Sequence, residues 1–270
     1  MDDLRAKKES LVSVLRKWKS AAVAFSAGVD STFLLAVARE VLGDHLLAMT
    51  ASLVSFPQQE LNEAKAFCQG WGIRHVVVEV NQLEIEGVRN NPPERCYLCK
   101  RRIFEEFLRV ASEHGMECVC EGSNADDEGD YRPGRRAIAE LGIHSPLKEA
   151  GLSKKEIRLL SKEMGLSTWD KPSMACLATR FEYGELITAE KLFMVETAER
   201  RLHDLGFRQV RVRCHGKIAR IEVEPSDFGQ ILSLREQVER ELRNLGFLYI
   251  TLDLAGYKSG SMDKALGESI

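Results

Sequence analysis

Seven consecutive residues, Ser26-Ala27-Gly28-Val29-Asp30-Ser31-Thr32, combine types that suit a phosphate. Three hydroxyls can donate to anionic oxygens. Gly28 lets backbone come close to a phosphate. A helix starting here would add unpaired N–H groups and about half a positive charge. Asp30 is the odd member, because a carboxylate repels phosphate unless a cation intervenes. Mg²⁺ fits that place, since it takes oxygen ligands and shares them with substrate phosphates. A Ser-capped helix start is the plainer reading of the same residues. A second polar stretch, Glu121-Gly122-Ser123-Asn124-Ala125-Asp126-Asp127, suits nucleotide contact or, more plainly, an Asx-rich turn. The basic run Arg132-Pro133-Gly134-Arg135-Arg136 could clamp phosphates with arginine forks or simply face water.

Sulfur is the other reactive element. Cys96 and Cys99 form a Cys-x-x-Cys pair followed by Lys100, Arg101 and Arg102. Thiolates gain from a helix N-terminus and nearby cations, so lowered pKa values are expected here. The spacing fits zinc, an iron–sulfur cluster or a redox pair. Cys176 lies far off, in Pro172-Ser173-Met174-Ala175-Cys176-Leu177-Ala178-Thr179-Arg180. Three cysteines could occupy three corners of a four-iron cluster. Cys68, Cys118, Cys120 and Cys214 fall in helix or strand patterns and read as packed thiols. Finally, Arg211, Arg213 and His215 share one face of a strand by alternation. They could grip phosphate or carboxylate, or form a solvated face. Glu222 and Glu224 opposite could neutralise them or bind metal.

The elements that must carry these residues follow from periodicity. Residues 4–19 read as an amphipathic helix, 21–25 as a buried strand and 31–42 as a helix. Strands at 46–50, 75–80 and 117–121 alternate with helices from Ser55 to about 68 and over 97–113. Ser55, Pro57 and Gln58 suggest a capped start for the first of these helices. The alternation predicts an α/β fold with a doubly wound, mostly parallel sheet, whose ligands bind at the carboxyl ends of the strands. Ser153 and Glu156 predict a capping box for a helix over 153–164. Beyond it, a helix over 188–205, a hairpin turning at Gly216-Lys217, a helix over 227–245 and a strand over 247–254 predict a smaller α+β domain. Domains are expected at 1–168 and 169–270, hinged over 167–172.

The totals exclude some classes. A chain of 270 residues, 44% hydrophobic and 29% charged, is globular in composition. Its net charge of −3 gives no global case for nucleic acid. No apolar run approaches the roughly 20 residues of a membrane span. The acidic start Met1-Asp2-Asp3 has no signal-peptide core, so a cytoplasmic location is expected. There, seven cysteines point to reactivity or metal rather than disulfides.

The first stretch is not a Walker A loop, which needs Gly-x-x-x-x-Gly-Lys-Ser/Thr. It resembles the SGGxDS loop of the PP-loop ATP pyrophosphatases (adenine nucleotide alpha hydrolase-like fold). Ala27 departs from the double-glycine form at its first glycine, so a negative φ is expected there. Taken together and in order, this loop, EGSNADD, Cys-Tyr-x-Cys-Lys, SMACLATR and RVRCH resemble the LarE family. That family comprises ATP-dependent sulfur transferases of nickel-pincer nucleotide cofactor synthesis. The resemblance implies ATP and Mg²⁺ at Ser26, Gly28, Val29, Asp30, Ser31, Gly122, Asn124, Asp126 and Arg135. It implies a small-molecule mononucleotide substrate, pyridinium-3,5-biscarboxylic acid mononucleotide, with Arg180, Arg211 and Arg213 at its phosphate or carboxylates. It implies Cys176 as catalytic residue, and Cys96, Cys99 and Cys176 as ligands of a [4Fe-4S] cluster. In the family's other variant, Cys176 would donate its own sulfur. A homo-oligomer without nucleic-acid or membrane partners is also implied. The rivals are a PP-loop tRNA thiolase, an amide-forming PP-loop ligase, and an ATP-binding sensor with structural zinc.

Overall fold

The computed structural model describes residues 2–127, 133–172, 175–258 and 260–263. Arg132, Ser173 and Met174 of the motifs above lie outside them. Two compact units emerge. One comprises Met1–Ile85 with Glu94–Met174, the other Glu86–Pro93 with Ala175–Ile270.

The first unit alternates strands and helices as periodicity predicts. Its elements are α1 (Asp2–Leu15), β1 (Ala21–Ala24), α2 (Val29–Leu42), β2 (Leu46–Ser52), α3 (Gln58–Gly70), β3 (Arg74–Glu79), α4 (Arg95–Glu113), β4 (Cys118–Cys120), α5 (Pro133–Glu140), α6 (Pro146–Glu149) and α7 (Lys154–Glu163). The sheet runs β3-β2-β1-β4, and every pairing is parallel. Strand residues feed two cores in alternation. Ala21, Val23, Leu46 and Ala48 join Leu11, Leu15, Phe33, Leu34, Ile157 and Leu160 on one face. Ala22, Leu47, Met49 and Val119 join Phe104, Phe107, Val110 and Ile138 on the other. Side chains of a strand alternate between faces, so both faces of a sheet built from such apolar runs must be covered by helices. This is the doubly wound α/β fold. Its strand order reverses between β1 and β4, which puts the loops after those two strands at the topological switch point.

Two local expectations need correction. Ala27 has φ of 54°, in the left-handed region, where a negative value was expected. Helix α3 starts at Gln58, and its N-cap residue is Pro57, not Ser55. Instead Ser55 is buried in the preceding turn. The capping box at Ser153 and Glu156 is present as predicted, with the Glu156 N–H donating to Ser153.

The second unit holds α8 (Ala189–Asp204), β5 (Val210–His215), β6 (Ile218–Val223), α9 (Phe228–Ser233), α10 (Arg235–Arg243) and β7 (Tyr249–Leu252). β5 and β6 form the antiparallel hairpin around Gly216, and β7 adds parallel to β6. One helix was expected over 227–245; Leu234 divides it into α9 and α10. Residues 86–93 join this unit through main-chain bonds. Gly184 N–H donates to Asn91 O and Ile187 N–H to Arg89 O, both at 2.9 Å. Asn91 Nδ2 donates to the carbonyl oxygens of Phe181 and Glu182.

Candidate functional site

The loop after β1 enters α2 through Gly28, whose N-cap position lacks a side-chain cap. The first-turn N–H groups of a helix have no intrahelical partner, so this end is open to an anion. Ser26 and Ser31 close the loop on itself. Their hydroxyl oxygens lie 3.0 Å apart, and Ser31 Oγ donates to Gly28 O at 3.3 Å. The Val29 side chain is buried in the core, leaving only its backbone for a ligand. Thr32 Oγ1 is buried without a hydrogen-bond partner.

Asp30 is the electrostatic centre of this end. Burial raises its pKa, and Lys154 opposes the rise. Lys154 Nζ donates to Asp30 Oδ2 at 2.5 Å. Asp30 Oδ1 is buried with no hydrogen-bond partner. A half-satisfied carboxylate beside an open helix N-terminus has the donor chemistry for a hard cation shared with phosphate, so the residues fit Mg²⁺. Lys154 escaped the sequence reading. Its only signal is its place directly after the Ser153 cap.

The loop after β4 lies beside this end. An added Cβ at Gly122 would stand 3.0 Å from Ser31 N, so glycine there allows two backbones to touch. Glu121 is fixed by Ser123 and Ser145, whose hydroxyls donate at 2.8 and 2.6 Å. Asn124 Oδ1 accepts from Asp126 N–H, and Asp126 Oδ2 accepts from Lys154 N–H at 2.8 Å. Asp126 therefore caps α7 from outside the helix. Asp127 Oδ2 accepts from Asn124 N–H, and Arg135 donates to Asp127 O. The structure thus brings Ser26, Gly28, Asp30, Ser31, Gly122, Asn124 and Asp126 to one place.

On α4, Cys96 is exposed and Cys99 buried, three residues apart and so on one side of the helix. Arg95 Nη2 donates to Cys96 Sγ at 3.6 Å, and Gln82 Nε2 to Cys99 Sγ at 3.4 Å. Cys176 is half-buried in the second unit, just before the tight turn Leu177–Arg180. Among the described residues, no three His, Cys, Asp or Glu side chains are gathered as a metal site. The other four thiols are packed, as expected. Burial pushes Cys68 and Cys118 up to about 12 and Cys214 up to about 11.

The second unit buries three arginines, Arg180, Arg211 and Arg213. Arg180 is enclosed, with Nε and Nη2 donating to Glu199 at 2.8 Å each. Its Nη1 donates to Thr179 Oγ1 and to the carbonyls of Ala175 and Cys176. Every guanidinium nitrogen is engaged, so Arg180 shapes the backbone at Cys176. Burial opposes charge on Glu199, but Arg180, Arg211 and the Val212 N–H outweigh it and hold the carboxyl below its usual range. Arg213 Nη2 donates to Glu222 Oε2 at 2.8 Å. Burial and the nearby Arg180 and Arg213 lower Arg211. Arg211 and Arg213 are buried, so they do not form the solvated face that alternation alone allowed. His215 Nδ1 lies 2.6 Å from Glu182 Oε1, at the edge of the group.

No family model matches the chain. Whole-length relatives do. A pyridinium-3,5-bisthiocarboxylic acid mononucleotide synthase of Lactiplantibacillus plantarum is 37% identical over 98% of this chain and 97% of its own length. The chain belongs to that synthase family, LarE. An uncharacterized protein of Synechocystis is 44% identical over 97% of the chain and 99% of its own. The LarE family is related to PP-loop enzymes more widely: one component of the glutamine-hydrolyzing GMP synthase of Methanococcus maripaludis is 33% identical over 53% of this chain and 49% of its own. That shared part agrees with the α/β fold of the first unit. The chain is thus an enzyme of the LarE type. Among the described residues no helix is long and apolar enough to cross a membrane.

Proposed function

We propose that this enzyme activates the carboxylates of pyridinium-3,5-biscarboxylic acid mononucleotide with ATP and replaces oxygen by sulfur. A carboxylate resists attack because oxide would have to leave. Adenylylation turns that oxygen into part of AMP, a good leaving group, and releases pyrophosphate. The observation that carries the reading is the open N-terminus of α2 beside Asp30 at the switch point between β1 and β4. Uncapped N–H groups and the Ser26 and Ser31 hydroxyls suit the charge that grows on departing pyrophosphate. Mg²⁺ would sit at Asp30 and neutralise phosphate oxygens. In the second unit, Arg211 and Arg213 would hold the mononucleotide phosphate, and Arg180 would keep the Cys176 segment in shape.

For the sulfur, Cys96, Cys99 and Cys176 are the proposed ligands of a [4Fe-4S] cluster. Three thiols suit such a cluster, which would supply exchangeable sulfide when bound. Cys176 as its own sulfur donor is the second reading, supported by its half-buried place beside a fixed backbone. Labelled ATP with the mononucleotide should give AMP and pyrophosphate only when substrate is present. Formation of ADP, or no turnover, would overturn the activity. After anaerobic reconstitution with iron and sulfide, Cys96→Ala should keep AMP formation and lose both the cluster absorbance and sulfur transfer. Full transfer by that variant, with Cys176 converted to dehydroalanine, selects the sacrificial route. The family resemblance further leads us to propose a homo-oligomer in the cytoplasm.

A further inference from the structure

Lys171 commits one ammonium to three acceptors in the first unit. Its Nζ donates to Glu60 Oε2 at 2.7 Å, to Glu63 Oε2 at 2.5 Å and to Ala27 O at 3.1 Å. Glu60 is buried, and burial raises its pKa against the pull of Lys171. A buried carboxylate needs such a cation, and two carboxylates already satisfy the charge. The third acceptor is different in kind. It is a peptide carbonyl in the phosphate loop, at the one residue of that loop with positive φ.

Ala27 at φ 54° is strained, because in the left-handed region a Cβ crowds the following carbonyl oxygen. Such a conformation persists only where its surroundings hold it. Lys171 grips the carbonyl of this residue. Among the described residues no peptide bond is cis, so the C=O of Ala27 and the N–H of Gly28 point in opposite directions. With the carbonyl turned to Lys171, the Gly28 N–H is turned away from it. The backbone carrying Lys171 is fixed as well. Arg158, on α7, donates to Trp169 O and Lys171 O at 2.8 Å each. The same helix starts with Lys154, the partner of Asp30. Loop, α3, α7 and residues 169–171 therefore form one closed network.

We propose that Lys171 is a positioning residue of the ATP site: held by Glu60 and Glu63, it fixes the Ala27 carbonyl and so aims the Gly28 N–H at the nucleotide's polyphosphate. This rests on the reading of the β1–α2 loop as a phosphate site. Three full-length variants test it: Lys171→Met, Lys171→Arg, and Lys171→Met with Glu60→Gln. The double variant removes the stranded carboxylate, so it should melt closer to wild type than Lys171→Met does. Inorganic pyrophosphate and ATP are the probes, by titration calorimetry. The double variant should stay folded yet bind pyrophosphate about tenfold to a hundredfold more weakly, the range of one charge-assisted hydrogen bond. Its KM for ATP should rise while kcat at saturation changes less. Lys171→Arg, which keeps a donor, should recover part of the affinity. A folded double variant that binds pyrophosphate like wild type would overturn the inference and assign Lys171 to stability alone. Wild type that takes neither probe would be a separate failure, that of the loop reading.

Discussion

Gly122→Ala probes the contact on which the phosphate end of α2 depends. The new Cβ would lie 3.0 Å from Ser31 N, 3.3 Å from Ser31 Cα and 3.4 Å from Asp30 C. All three are main-chain atoms of a helix, so no rotamer change can open space. The loop cannot retreat freely either, because β4 is paired with β1 and Glu121 is tied to Ser123 and Ser145. Overpacking of this kind costs about 1–3 kcal/mol. At roughly 2–4 °C per kcal/mol for a domain of this size, the melting temperature should fall by about 2–12 °C. Each 1.4 kcal/mol or so that appears as displacement of the α2 N-terminus weakens ATP about tenfold. The assay is a thermal melt followed by circular dichroism, with KM for ATP measured on the same preparation. Gly28→Ala is the control. Its Cβ would meet only Ser26 Oγ at 3.4 Å, an ordinary contact. Stability should then change by no more than the N-cap preference, about 1 kcal/mol, while ATP binding suffers from a methyl between backbone and phosphate. A Gly122→Ala enzyme with unchanged melting temperature and KM would refute the close approach. Equal thermal losses in the two variants would refute the distinction between packing and ligand contact.

Arg180→Met should destabilise the second unit by about 3–5 kcal/mol, because it strands the buried Glu199 carboxylate. Urea unfolding measures this, and adding Glu199→Leu should recover most of the loss; a cost below about 1 kcal/mol for the single variant would contradict the buried-pair reading. Acid should act through Glu156, which Lys7 chiefly holds down at about 2 against the opposing effect of burial, with Ser153 adding to the pull of Lys7. A carboxyl lowered in the folded state adds stability that is whole above its unfolded value of 4.5 and disappears as pH falls toward 2. Melts of wild type and Glu156→Gln should therefore differ near neutrality and converge in acid; a gap that stays constant would exclude the Lys7 link between α1 and α7.

Local signals carried much of this protein. Apolar runs of strand length alternating with amphipathic stretches specify the parallel sheet, because side-chain periods of 2 and 3.6 are written residue by residue. The Ser153–Glu156 box and the Gly216 turn are legible because each works within a few neighbours. Motifs also pointed to the α2 N-terminus and to the buried arginine strand. What stayed hidden depends on partners distant in the chain. Lys171 meets Glu60 and Ala27 across 111 and 144 residues, and Lys154 meets Asp30 across 124. Composition does not say that Ala27 accepts a left-handed φ, since the ammonium that holds it comes from elsewhere. Arg180 reads as a free phosphate ligand until folding gives all its nitrogens to Glu199, Thr179 and two carbonyls. Residues 86–93 read as a loop of the first unit, yet their main-chain bonds place them in the second. Sequence determined which elements form and where an anion could dock. Only tertiary packing decided which charges are already spent on one another, because a charge's partner is chosen by distance in space.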